Sequence, residues 1–226
     1  MRYTLEGGSL PVALIQLEPG ETILSEAGGR TWMKGDVITD TRAEGGLGKS
    51  IGRMFSGESL FMTRYTARGP AEIGFASSFP GKILPVELRP GQSIICQKSA
   101  FLCGVGNIQL SIHFKKKVGV GFFGGEGFIM QKVTGPGLVF LELDGHCKEY
   151  TLLPGERLVC DTGVLAVMEE TCSMDVQMVS GAKNIFFGGE GLIDTVVTGP
   201  GKVWLQSMTV PKLAGLIAPY IVTKNG

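Results

Sequence analysis

Apolar residues in this chain come in short blocks rather than at helical spacing. Gly137-Leu-Val-Phe-Leu-Glu-Leu143 and Lys202-Val-Trp-Leu-Gln-Ser207 are typical. Both are too short for helices and rich in residues that favour strands. In the first block both alternating faces are apolar, Leu138 and Phe140 against Val139 and Leu141, which predicts a strand buried on both sides. Turn signals separate such blocks about every 8–12 residues, the rhythm of all-β sandwiches and barrels. Only the tail, Pro211 to Pro219, has the pattern of a short helix.

The blocks recur as three copies. Leu17-Glu-Pro-Gly-Glu21, Leu88-Arg-Pro-Gly-Gln92 and Leu152-Leu-Pro-Gly-Glu156 are each followed by an apolar pair: Ile23-Leu24, Ile94-Ile95 and Leu158-Val159. A second block follows in each copy, Phe55-Ser-Gly-Glu-Ser59, Phe123-Gly-Gly-Glu-Gly127 and Phe187-Gly-Gly-Glu-Gly191, and then Gly69-Pro-Ala71, Gly135-Pro-Gly137 and Gly199-Pro-Gly201. The aligned Glu58, Glu126 and Glu190 are 68 and 64 residues apart, so the chain is a triplication. The expected units are residues 1–79, 80–144 and 145–226, each a sandwich or barrel-like β unit. Pro followed by Gly supplies the fixed negative φ and then the positive φ of a type II turn, so every Pro-Gly is expected to reverse the chain.

Composition narrows the function classes. The 35 glycines exceed the roughly 16 expected of an average chain this long, so the excess serves backbone geometry. With 43% hydrophobic residues the chain is too apolar for disorder, and its zero net charge gives no overall drive toward nucleic acid or an anionic membrane. The longest stretch free of acidic and basic residues, Ser99 to Phe114, is shorter than the roughly 20 residues a membrane helix needs. Five cysteines without a Cys-x-x-Cys pair, and the absence of an apolar signal at the N-terminus, point to a reducing, cytoplasmic setting. Cys96 and Cys160 share a slot with Ser25, five residues beyond the Pro-Gly glycine, and are expected to be core packing.

Several motifs imitate chemistry. Ala43-Glu-Gly-Gly-Leu-Gly-Lys49-Ser50 resembles a relaxed P-loop but runs into glycines where a helix must begin. Gly119-Val-Gly-Phe-Phe-Gly124 is a G-x-G-x-x-G with Glu142 downstream, yet the third copy lacks these glycines and no room is left for a crossover helix. Two histidines, His113 and His146, make no metal cluster, and neighbouring His146 and Cys147 would face opposite sides of a strand. No cofactor or metal is expected.

Two weaker patterns remain. Glu58, Glu126 and Glu190 occupy one repeated position, either as acceptors for turn amides or as equivalent interaction sites. Lys49 and Arg53, then Lys115, Lys116 and Lys117, then Lys183 precede the phenylalanine-glycine-glutamate block of their copies. On one rim they would form a positive edge for phosphate or RNA, or else solvated hairpin tips.

The repeated Pro-Gly turns, the segment Gly48 to Phe61 and the two Phe-Phe-Gly-Gly-Glu-Gly copies closely resemble the altered inheritance of mitochondria protein 24 family. The resemblance spans essentially the whole chain. It implies three domains similar to subunits of the tryptophan RNA-binding attenuation protein, small sandwiches of double-stranded β-helix type that assemble into rings, and it implies no established catalysis. Lacking an Arg- and Ser-rich presequence, the chain is expected to be a bacterial, cytoplasmic member. The expected function is a non-enzymatic oligomeric scaffold or interaction protein, with a homotrimer favoured, Trp32, Trp204, Phe122 and Phe186 as interface anchors, and an unidentified protein partner. The alternative is a small-ligand or RNA-binding module using the basic rim. An enzyme, acting through Glu126 or His146, has the least support.

Overall fold

The apolar blocks become antiparallel strands that fall into one recurring order. The structure is a computed structural model describing residues 1–26, 28–43, 61–116, 127–178 and 193–221. After β1 (Arg2–Glu6), the first copy holds β2 (Val12–Leu17), β3 (Thr22–Glu26), β4 (Trp32–Lys34), β5 (Val37–Ala43), β6 (Phe61–Ala67) and β7 (Ala71–Ala76). The second holds β8 (Gly81–Leu88), β9 (Ser93–Gln97), β10 (Phe101–Gly106), β11 (Gln109–Lys116), β12 (Phe128–Thr134) and β13 (Gly137–Asp144). The third holds β14 (Cys147–Leu152), β15 (Arg157–Asp161), β16 (Leu165–Glu169), β17 (Ser173–Met178), β18 (Ile193–Thr198) and β19 (Gly201–Gln206). A short helix, α1 (Val210–Ile217), follows, capped by the Thr209 hydroxyl accepting from Lys212 N–H at 3.3 Å.

In every copy the sixth strand pairs with the first and the third, and the fifth with the second and the fourth. Each copy thus builds two small sheets, and copies join by continuing a sheet: β3 pairs with β10, and β9 with β16. The result is four sheets in the orders β1-β2-β7-β4, β5-β6-β3-β10-β13-β8, β11-β12-β9-β16-β19-β14 and β15-β18-β17.

Three apolar clusters lie between successive sheets. Ile15, Ile73, Phe75 and Phe140 belong to the first, Val139, Leu141, Val133 and Val167 to the second, and Ile95, Met130, Met168 and Val203 to the third. The doubly apolar pattern of β13 is explained by this arrangement, because Phe140 enters one cluster and Val139 and Leu141 the next. Each fully buried side chain of this size stabilises the fold by about 1.5–3 kcal/mol relative to exposure.

The Pro-Gly turns adopt the predicted geometry. Gly20, Gly91 and Gly155 have φ of +86°, +77° and +77°. In each turn the following residue's side chain accepts a backbone N–H three residues back: Glu21 from Glu18 at 2.9 Å, Gln92 from Arg89 at 3.1 Å and Glu156 from Leu153 at 2.8 Å. The recurring Glu or Gln after Pro-Gly is therefore a turn clamp. At the later block the chain crosses between sheets at Gly135–Pro136 and Gly199–Pro200, both cis. Gly137 is outside the positive-φ region and Gly201 has φ of +142°, so neither has the φ near +80° that a type II turn needs.

Candidate functional site

The structure places only part of the basic and acidic pattern. Glu58, Glu126, Glu190, Lys49, Arg53, Lys117 and Lys183 lie outside the described residues, as do Phe122 and Phe186. Lys115 and Lys116 end β11, opposite Ile129 and Phe128 of β12. The Lys116 ammonium donates to the Val176 carbonyl of β17 at 2.6 Å, so it ties the second copy to the third.

Both nucleotide-like motifs also fall largely outside the described residues, but their flanking strands are informative. β5 pairs antiparallel with β6, and β11 with β12. A Rossmann or P-loop site requires a crossover between parallel strands, which these flanks do not provide. Glu142, the would-be ribose acceptor, instead accepts from Ser77 Oγ at 2.9 Å and Ser78 N–H at 2.7 Å, clamping the link between β7 and β8.

A cleft of about 430 Å³ opens where β3, β9, β12 and the start of α1 converge. Its polar wall is built from Gln97 and Gln206, at the ends of β9 and β19. Gln97 Nε2 donates to the carbonyls of Gly163 at 2.8 Å and Leu165 at 2.7 Å. Gln206 Nε2 donates to Gly163 O at 2.8 Å and to Gln97 Oε1 at 3.3 Å, while its Oε1 accepts from Asp144 N–H at 3.0 Å. These amides are fully used in joining the second and third copies. The Asp144 carboxyl is pushed up to about 6 by burial, reinforced by the charge of Glu142 and opposed by a hydrogen bond from Val210 N–H. The cleft therefore offers two half-buried acids, Asp144 and Glu26, beside satisfied amides, and Glu26 already accepts from Gln131 Nε2 at 3.2 Å.

The thiols are packing groups. Cys96, Cys103 and Cys172 are buried, and Cys147 and Cys160 half-buried, all unpaired. Desolvation raises the pKa of every one, Cys96 and Cys160 to about 12, which leaves them protonated at neutral pH. His146, beside Cys147, is exposed.

The two tryptophans separate. Trp204 is buried and donates its indole N–H to Glu149 Oε2 at 2.8 Å, so it is a core residue and not an interface anchor. Trp32 is 42% exposed and lies over Gly74, where a Cβ would clash with its ring. It belongs to β4, whose sole ladder partner among the described residues is β7. At the opposite end of the sheet series β15 pairs, among those residues, with β18 alone. The counterparts of these strands in the other copies, β10, β16, β3 and β9, are paired on both sides.

The same arrangement occurs elsewhere. The crystal structure of a Streptococcus pyogenes protein superposes with a TM-score of 0.78 at 25% identity, over 97% of this chain and 99% of the other. An uncharacterised protein of Streptococcus pyogenes serotype M6 is 29% identical over 234 residues, spanning 100% of this chain and 93% of the relative. No described helix is long and apolar enough to cross a membrane. The sequence profile of the mitochondrial biogenesis AIM24 family matches residues 3–208, which takes in all three copies and every sheet, and the chain belongs to that family.

Proposed function

We propose that this protein is a non-catalytic, oligomeric scaffold that acts by holding surfaces in a fixed array for a protein partner. One observation carries the proposal. The sheet edges that join its own copies are also presented, unpaired among the described residues, at the two ends of the series. An unpaired strand edge is a template for association unless it is blunted. The absence of catalysis is supported by the protonated thiols and by glutamines already committed to the junction between copies. Unpaired cysteines support a reducing cytoplasm as the setting.

Light scattering coupled to size exclusion tests the scaffold. The expected result is a species larger than the 24.0 kDa chain that persists at micromolar concentration, and a strictly monomeric protein would overturn the proposal. RNA binding through the lysine rim is the weaker alternative, since Lys116 is already engaged by Val176. It requires an affinity that falls steeply with salt and drops when Lys115, Lys116 and Lys117 are changed to Ala.

A further inference from the structure

The internal junctions define how the second strand of one copy meets the third strand of the next. At the first junction Ile23 of β3 lies opposite Val105 of β10, and Leu24 opposite Gly104. At the second, Ile94 of β9 lies opposite Glu169 of β16, Ile95 opposite Met168 and Cys96 opposite Val167. Equivalent positions on the third strands follow from their pairing with the sixth. Trp32 lies opposite Gly74, Cys103 opposite Phe140 and Val167 opposite Trp204. Each of those three partners stands three residues beyond the last residue of its own Gly-Pro turn, Ala71, Gly137 or Gly201. On the second strands, Leu24, Ile95 and Val159 share a position, as do Ser25, Cys96 and Cys160.

Burial departs from this equivalence only where a following or preceding copy is missing. Leu24 and Ile95 are 4% and 0% exposed and sit in the apolar cluster of the next copy, whereas Val159 is 57% exposed. Cys103 and Val167 are fully buried in the cluster of the preceding copy, whereas Trp32 is exposed. Cys160 is half-buried where Ser25 and Cys96 have no exposure. The other ends of these sheets are treated differently. β2 is covered by β1, β8 carries Pro85, which has no N–H to offer, and β14 presents Lys148 and Glu149.

Resting on the oligomeric reading above, we propose that a second copy of this chain occupies these ends. β15 of one copy pairs antiparallel with β4 of the next, with Leu158 opposite Lys34, Val159 opposite Met33 and Cys160 opposite Trp32. Trp32 then covers the third apolar cluster of its neighbour, and Val159 covers the first cluster of the copy it joins. The two surfaces differ, so the contact is heterologous, and the rotation per junction decides whether the assembly closes as a ring.

Directly opposed residues on paired strands have Cβ atoms about 4.5–5.5 Å apart, close enough for a disulfide after small adjustment. The test is the full chain carrying Met33→Cys and Val159→Cys together, oxidised with diamide and run without reductant beside each single variant. The single variants control for Cys160. The expected result is a ladder of chains linked between residues 33 and 159 in the double variant alone. In parallel, Val159→Lys, a surface change that circular dichroism should find folded, is expected to weaken self-association roughly tenfold or more. Self-association that persists unchanged, with no link between residues 33 and 159, overturns the pairing and leaves the scaffold standing. A link confined within single chains also overturns it, because the edges would then meet inside one copy. A monomer with no link overturns both proposals.

Discussion

Residues that share a slot in the triplication give the sharpest comparisons. Ile95 and Val159 are such a pair, one fully buried and the other exposed. Ile95→Ala should cost about 2–5 kcal/mol in denaturant unfolding. Val159→Ala in dissociated chains should change stability by less than about 0.5 kcal/mol. Asp144 makes a pH prediction. Its folded-state pKa of about 6 exceeds the ordinary 3.8, so the folded chain holds this proton more tightly than the unfolded one. The stabilising contribution is complete below about pH 4, is lost as pH rises through 6, and stays lost at neutral pH. Asp144→Asn should therefore stabilise the protein at pH 7, by no more than about 1 kcal/mol because solvent still screens the half-buried carboxylate. Thermal melts at pH 4 and pH 7 check this, with the variant's advantage present only at the higher pH.

Elements differ in how far the sequence reveals them. The doubly apolar run at Leu138–Leu141 announces a strand shared by two cores, because a strand's alternation is a local property. The three-residue β4, Trp32–Lys34, carries no comparable signal, since its pairing with β7 depends on residues some forty positions away. The Gln97 and Gln206 amides were equally illegible, because the acceptors at Gly163 and Leu165 are brought near Gln97 by the β9–β16 junction, and Gly163 near Gln206 by the pairing of β16 with β19. Gln97→Ala removes both donated bonds, and we expect it to cost about 1–3 kcal/mol in unfolding experiments. α1 is the contrasting case. It has no buried residue, so a chain ending at Thr209 should unfold within about 1 kcal/mol of the full chain.

At the scale of the whole molecule, four sheets and three cores form one series, and the copies are not separable modules. The shared strand ladders mean that unfolding one copy exposes a face of its neighbour, so cooperative unfolding is expected. If association links chains as it links copies, the apparent thermal midpoint should rise with protein concentration by mass action. Val159→Lys should lower the midpoint at any given concentration and shift the onset of that dependence to roughly tenfold higher protein concentration or more. Scanning calorimetry over a hundredfold range of concentration reads both.

The sequence by itself determined the all-β character, the threefold repetition and the Pro-Gly turns, because alternation and turn geometry act over a few neighbouring residues. It also held the family membership, through motifs spread along the whole chain. Which faces meet was decided only by the tertiary structure. Val159 and Ile95 look alike in sequence, as do Cys160 and Cys96, yet one of each pair is packed by a following copy and the other is not. Burial depends on what lies across the strand, and the chain's own strand order leaves β4 and β15 at the ends of the series.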